Sequence, residues 1–464
     1  MFVTNMFGIC RDEDHLTPGG RRAGLGEGRV GGHVRTSRLL RADWRNENVL
    51  QFLTERGLDL AGTAECTRGC PTMFLEESPE QQQLRAELKR YYADVLTDEV
   101  RAGLAEGGEG GEAWSQVVRQ IGKDGWLGIG WPAEFGGQGR PATDQFIFFD
   151  ETRRAGAPFP FVTINTVGPT IMRYGTDEQK SFFLPKILSG ELNFAIGYTE
   201  PEAGTDLASL RTRAVRDGEE YVVNGAKIFT SGADQADYVW LAVRTDPDVP
   251  KHKGISILCV PTTSPGFEWS IINTVGGLTT TQTFYDNVRV PVSNRVGDEN
   301  EGWRMITTQL NHERVGLAAW SGLAISFYED IVAWAARQPT DDGRTLIDQG
   351  WIQTDFAKCH AELQAMWLLN WRMAVHVADG ELTGAESSSI KVFGTERIIE
   401  VVRLLQGVVG AAGYLTPGSP GALLRGRLEA TGRQAQINTF GGGVNEVQRE
   451  IVAAAGLGMT RGSR

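Results

Sequence analysis

Cysteine and histidine are scarce in this chain, with five and six residues among 464. Cys10, Cys66, Cys70, Cys259 and Cys359 are scattered and form no Cys-x-x-Cys pair, which excludes a disulfide framework and a thiolate metal site and fits a reducing, cytoplasmic compartment. Long apolar runs are missing too. The most apolar stretch, Ile398 to Leu415, is broken by Glu400, Arg403 and Gln406, and Met1 to Cys10 leads into Arg-Asp-Glu-Asp, so neither a membrane span nor a secretory signal is expected. Positive charge is in deficit: 46 Lys plus Arg against 58 Asp plus Glu give a formal charge of −12, which argues against nucleic acid or anionic lipid as partner. No Gly-x-Ser-x-Gly elbow occurs, so a serine triad is not indicated.

What is present describes a packed protein of several domains, 41% hydrophobic and 22% charged. Residues 1–72 stand apart, with ten Arg, no Lys and no sustained apolar period. They are expected to be a leader, disordered or encoded upstream of the true start. Gly26-Glu-Gly28-Arg-Val-Gly31 within it spells a dinucleotide fingerprint, yet no apolar strand precedes it, and chance in a glycine-rich run explains it better. From Met73 strong helix formers take over, with Leu84, Leu88 and Tyr91 or Tyr92 at a helical period. Residues 73–192 therefore read as a helical domain, with a tight turn at Trp131 to Gly137. Over 193–297 the period becomes two, in runs at Asn193–Thr199, Tyr221–Phe229, Tyr238–Thr245, Ile255–Pro261 and Gln282–Pro291, which predicts a compact antiparallel β-domain. Helical periodicity returns over 298–464. The expected fold class is α+β and multidomain, in the order α, β, α.

The helix predicted after Gly302 places Ile306, Leu310, Leu317, Trp320 and Ala324 on one apolar face. Glu313 fills the gap in that stripe, so its carboxylate points to the buried side, where an unpaired charge is costly and its pKa should rise. A catalytic base and a buried structural ion pair are both open readings.

Several segments resemble a known family. Tyr198-Thr-Glu-Pro-Glu-Ala-Gly-Thr-Asp206, Tyr221-Val-Val-Asn-Gly-Ala-Lys227-Ile-Phe-Thr-Ser231, Phe440-Gly-Gly-Gly-Val-Asn-Glu-Val-Gln-Arg449 and Gly125 to Gly137 look like the signature segments of acyl-CoA dehydrogenases, in order and at family spacing. Asn311-His-Glu-Arg-Val, Lys391-Val-Phe-Gly-Thr-Glu and Ser419 to Arg427 resemble the alpha-type subunits of actinobacterial steroid side-chain enzymes, which are two-plus-two heterotetramers. The resemblance implies a helical domain, a β-domain and a C-terminal four-helix bundle. It also implies FAD as cofactor, an acyl-CoA substrate and an electron-transfer flavoprotein as acceptor. By position, Tyr198, Thr199, Gly204 and Thr205 would line the flavin and acyl-CoA entrance. Phe229 and Ser231 match the flavin-stacking Trp and hydrogen-bonding Thr of common members. Glu313 takes the helix position of the base in isovaleryl-type and long-chain-type members, Gly442 offers a backbone N–H to the thioester oxygen, and Arg314 is a candidate for holding CoA. The Arg-x-x-Phe-Gly segment that grips a neighbour's FAD pyrophosphate is missing, since Arg337 to Arg344 carries Pro339, Asp341 and Asp342 instead. That gap implies a second acyl-CoA dehydrogenase-like subunit. An oxidase or monooxygenase on the same fold, a non-catalytic subunit and an ordinary homotetramer remain alternatives.

Overall fold

The computed structural model describes residues 77–107, 110–307, 309, 320–380 and 382–459. The leader, its glycine motif, Glu313 and Arg314 lie outside the described residues. The first helix, α1 (Pro79–Val95), starts on a capping box in which Ser78 and Gln81 exchange side-chain and backbone bonds, with Pro79 in the first turn, where its missing N–H costs nothing. Leu84, Leu88 and Tyr92 form its buried stripe. Of the two tyrosines left open by the period, Tyr92 faces the core and bonds Thr152 at 2.6 Å, while Tyr91 reaches outward to Asp124 at 2.8 Å.

Helices α2 (Asp98–Gly107), α3 (Glu112–Lys123), α4 (Ala142–Ala155), α5 (Gly168–Tyr174) and α6 (Asp177–Leu188) follow. The Trp131–Gly137 turn closes so tightly that a Cβ on Gly137 would sit 2.1 Å from the Trp131 carbonyl oxygen, which excludes any side chain there. Helix α4 carries Asp150 and Glu151 inward, and both meet Arg85 from α1 and Arg154. Burial pushes the Asp150 carboxyl up, but the two arginines outweigh it and hold it below the usual carboxylate range.

The sheet has eight strands: β1 (Phe194–Gly197), β2 (Arg213–Asp217), β3 (Glu220–Ile228), β4 (Tyr238–Arg244), β5 (Ile255–Pro261), β6 (Phe267–Asn273), β7 (Thr279–Pro291) and β8 (Arg295–Val296). Their order is β6-β7-β3-β2-β4-β5-β8, with β1 paired to β4. Antiparallel pairing dominates as the short alternating runs predict, but β1 and β2 both run parallel to β4. Gln179 of α6 ties the helices to the sheet by donating to the Ser293 and Arg295 carbonyls at 2.7 and 2.9 Å.

Beyond the sheet the chain is helical at 302–307 and 309. Helices α7 (Trp320–Ala335), α8 (Gly350–Ala378), α9 (Gly384–Val409), α10 (Arg427–Gln434) and α11 (Asn445–Ile451) complete the described fold. Helices α7, α8 and α9 pack on one another, and Phe327, Ile331, Phe356, Leu363, Val401 and Leu405 are among their buried residues. Among the described residues no helix is long and apolar enough to cross a membrane.

Candidate active site

The segment after β1 folds back on itself. Glu200 and Ala203 exchange backbone bonds at 3.1 Å each way, closing a small loop that leaves Gly204 and Thr205 exposed. A buried ion pair braces the loop: Lys227 of β3, wholly buried, donates to the Glu200 carboxylate at 2.8 Å and to the Tyr198 carbonyl at 3.1 Å. Glu200 also accepts the backbone N–H groups of Arg211 and Thr212 at 2.7 and 2.8 Å. Burial lowers the Lys227 amine to about 8 despite the support of Glu200. The Glu200 carboxyl feels burial as an upward push, but Lys227 and the Thr212 hydrogen bonds outweigh it and hold it low. Close approach by Thr212 also explains the glycine in Asn224-Gly-Ala226, because a Cβ on Gly225 would lie 2.6 Å from its hydroxyl.

Strand β3 ends at a corner. Phe229 takes φ 61°, a left-handed conformation that costs a residue with a bulky side chain. Its neighbours impose it, since the Ile228 N–H is held by the Thr199 carbonyl at 2.8 Å and the Thr230 N–H by the Thr281 carbonyl at 2.9 Å. The ring is left 59% exposed. Beside it the Ser231 hydroxyl pairs with that of Thr280 at 2.8 Å. Phe229, Ser231 and Thr199 are thus brought to one corner of the sheet, with Tyr198 at its root.

The Tyr198 side chain turns toward the protein interior. Its hydroxyl accepts from the Trp240 indole N–H at 3.1 Å and donates to the Gln309 side-chain oxygen. The phenol is therefore used inside the protein, between β4 and the helical segment that begins at Gly302.

The late glycine loop is held from beneath. Lys391 of α9 is buried and donates to the carbonyls of Thr439 and Gly443 at 3.3 and 2.9 Å and to the Asn445 side chain at 2.7 Å. Gly442, between these anchor points, takes φ 66°, which glycine adopts without strain. Phe440 and Ile437 flank the loop with 65% and 49% of their surfaces exposed.

The stretch expected to lack a phosphate clamp folds as a polar turn. Pro339 bridges Thr345, and Arg344 is engaged by Asp342 at 2.7 Å, so its cation is already answered within the turn. Sequence reasoning assigned no role to Lys227, Glu200, Lys391 or Gln309. Lys227 did carry a signal: it stands at an inward position of β3, in step with Tyr221 and Val223, where a lysine is seldom left unpartnered.

A flavin offers a flat ring system edged by hydrogen-bonding atoms. The exposed Phe229 ring beside the paired Ser231 and Thr280 hydroxyls offers a stacking face and hydrogen-bonding groups that suit it, so the residues present fit FAD. No group of His, Cys, Asp and Glu among the described residues could hold a metal ion.

The acyl-CoA dehydrogenase N-terminal, middle and C-terminal domain models match residues 78–191, 195–288 and 300–457. The chain is 51% identical over 401 residues to acyl-CoA dehydrogenase FadE26 of Mycobacterium tuberculosis, covering 84% of this chain and 100% of the relative. Among solved structures, the Tcur3481-Tcur3483 steroid ACAD shares 58% identity at a TM-score of 0.80, covering 84% of this chain and all of the other. The ChsE4-ChsE5 complex from Mycobacterium tuberculosis shares 51% identity at a TM-score of 0.79, with the same coverages of 84% and 100%. With all three domain models matched in order along one chain, this protein is a member of the acyl-CoA dehydrogenase family.

Proposed function

We propose that this acyl-CoA dehydrogenase is the base-bearing subunit of a heteromeric, FAD-dependent enzyme acting on a bulky CoA thioester such as a steroid side-chain acid. Residues 73–192, 193–297 and 298–464 are taken as its folded domains. FAD, when bound, would supply the acceptor for the hydride leaving the β-carbon. The chain's own residues would do the rest. Glu313 would remove the α-proton, its basicity raised by the apolar stripe on which the sequence places it. The Gly442 N–H would meet the charge that develops on the thioester oxygen, and a loop pinned by Lys391 keeps such a donor from reorienting at that moment. Phe229 and Ser231, with Tyr198, Thr199, Gly204 and Thr205, would shape the flavin side, and Arg314 would hold CoA.

The observation that carries this reading is Phe229, held by main-chain bonds on both sides at φ 61° with its ring exposed at the root of the Tyr198–Asp206 loop. Strain maintained to display an aromatic face points to a ligand for that face. The partner is favoured by the turn at 337–345, where Asp342 engages Arg344 and leaves a poor seat for a neighbour's diphosphate. The solved relatives named above as a steroid ACAD and as a two-component complex agree with both the substrate class and the second subunit. An electron-transfer flavoprotein is the expected acceptor.

The test is co-expression with a second acyl-CoA dehydrogenase-like chain, followed by stopped-flow flavin bleaching with a panel of steroid-acid and straight-chain fatty acyl-CoA thioesters. A yellow complex with about one flavin per two subunits, bleached fastest by a steroid-acid thioester, is the expected result. Glu313→Gln in that complex should keep the flavin and lose bleaching, because the amide keeps the shape and cannot take a proton. A fully loaded homotetramer, or a Glu313→Gln complex within a few-fold of wild type, would refute the reading.

A further inference from the structure

Gln309 is four residues before Glu313 in the sequence and is 3% exposed. Both ends of its amide are engaged. Its oxygen accepts from the Tyr198 hydroxyl, and its nitrogen donates to the Thr170 hydroxyl at 2.8 Å, which in turn donates to the Thr166 carbonyl at 2.7 Å. The bonds of this line run in one direction. An indole N–H can only donate, so the Tyr198 oxygen accepts from Trp240, and its hydroxyl donates to Gln309. The Gln309 oxygen must then face Tyr198 and its nitrogen Thr170, because the reverse arrangement would set two donors against each other. One line of hydrogen bonds thus runs from β4 through Tyr198 and Gln309 to α5. It joins the sheet, the segment leading to Glu313 and the N-terminal helices.

Such a line does more than fill space. A buried amide gripped on two opposite sides fixes both the rotation and the axial position of the backbone that carries it, and in the helix that the sequence predicts after Gly302, Glu313 would share that setting one turn further on. Tyr198 is also the residue whose main chain leads into the Thr199–Thr205 loop, so the same side chain that sets Gln309 is tied to the flavin side of the site. Lys227 fixes its carbonyl at 3.1 Å, leaving the phenol little freedom to follow a drifting helix.

We propose that Tyr198 and Gln309, with Thr170 as the far anchor, are positioning residues that set the base Glu313 relative to the α-carbon of the acyl-CoA. The inference rests on Glu313 being the base. Loss of the line leaves the base present but displaced, and displacement by about 1 Å costs on the order of a hundredfold in a proton transfer.

The test uses the co-expressed complex and the thioester from the panel that bleaches flavin fastest. Tyr198→Phe and Thr170→Val each remove one hydroxyl, at opposite ends of the line. Both are expected to slow bleaching by about ten- to a hundredfold with KM within twofold. The kinetic isotope effect with α-deuterated thioester should rise, because proton removal becomes more fully rate-limiting. The flavin spectrum and flavin content should match wild type. The double variant should be no slower than the slower single variant, since a line cut once carries nothing further.

Thr170→Val at the wild-type rate with Tyr198→Phe slow would overturn the line and assign Tyr198 a direct contact. Rates per bound flavin unchanged in both, with only a lowered melting temperature, would reduce the line to packing. If Tyr198→Phe does not fold, Thr170→Val alone decides. Glu313→Gln measured alongside separates the two claims: an active Glu313→Gln complex overturns the base and this inference together. An inactive one beside wild-type-like line variants overturns this inference alone.

Discussion

Two loops of the site are each held by a buried lysine, in different ways. Lys227 meets a carboxylate, Glu200, and a carbonyl, whereas Lys391 meets the carbonyls of Thr439 and Gly443 and the Asn445 amide oxygen. The first arrangement balances a buried charge with a buried charge. The described bonds of the second gather dipoles around one. An ion pair holds its loop at two points but leaves a stranded charge if either partner goes, while a dipole cage spreads the loss over several weaker bonds. The Tyr198–Asp206 loop is therefore expected to be the more brittle of the two, and the late glycine loop the more tolerant.

The largest expected effect tests the ion pair. Lys227→Met leaves the Glu200 carboxylate buried beside the Arg211 and Thr212 amides without its cation, and should destabilise the fold by about 3–5 kcal/mol, read from denaturant unfolding. Lys227→Met with Glu200→Gln should recover most of that loss. Failure to recover would place the energy in Lys227 packing. Lys391→Met should cost about 2 kcal/mol by stranding the Thr439, Gly443 and Asn445 acceptors. Its larger consequence should be in kcat, through a loosened Gly442.

The smallest effect lies in the pH dependence of the melting temperature. Glu200 and Asp150 are held below the ordinary carboxylate range, so their contribution is complete above about pH 4 and is lost as pH falls through their folded values. Lys227 has the opposite sign. Its folded amine releases its proton near 8 while the unfolded one keeps it to 10.5, so the unfolded state binds more protons between these values and stability from this group rises with pH across them. Lys227→Met should abolish the alkaline rise and weaken the acid loss, leaving the part due to Asp150. An unchanged alkaline limb would show that Lys227 is not the group responsible.

The parts of the fold that were legible in the sequence are those with one wet and one dry face. The stripe of Leu84 and Leu88 and the alternation in β3 and β7 gave a physical period to read. Strand β2 was missed because four of its five residues are exposed and no alternation shows, whereas Phe267-Glu-Trp-Ser-Ile271 of β6 does alternate and was a strand signal left unread. The single parallel neighbour shared by β1 and β2 was also invisible, since pairing direction leaves no mark within a five-residue run. At the site, the structure brings Thr199, Phe229 and Ser231 to one corner of the sheet. The line through Gln309 did not show in the sequence, because Tyr198 and Thr170 lie 111 and 139 residues from it and no local pattern relates them.

The corner at Phe229 has a consequence for anyone who improves this protein by selection. Glycine or asparagine would sit in that left-handed backbone at lower energy than phenylalanine. A library screened for heat resistance alone would therefore enrich their codons at this position and drift toward a sturdier protein that has lost the ring proposed to face the flavin. Any screen on this chain needs a colour readout beside the thermal one.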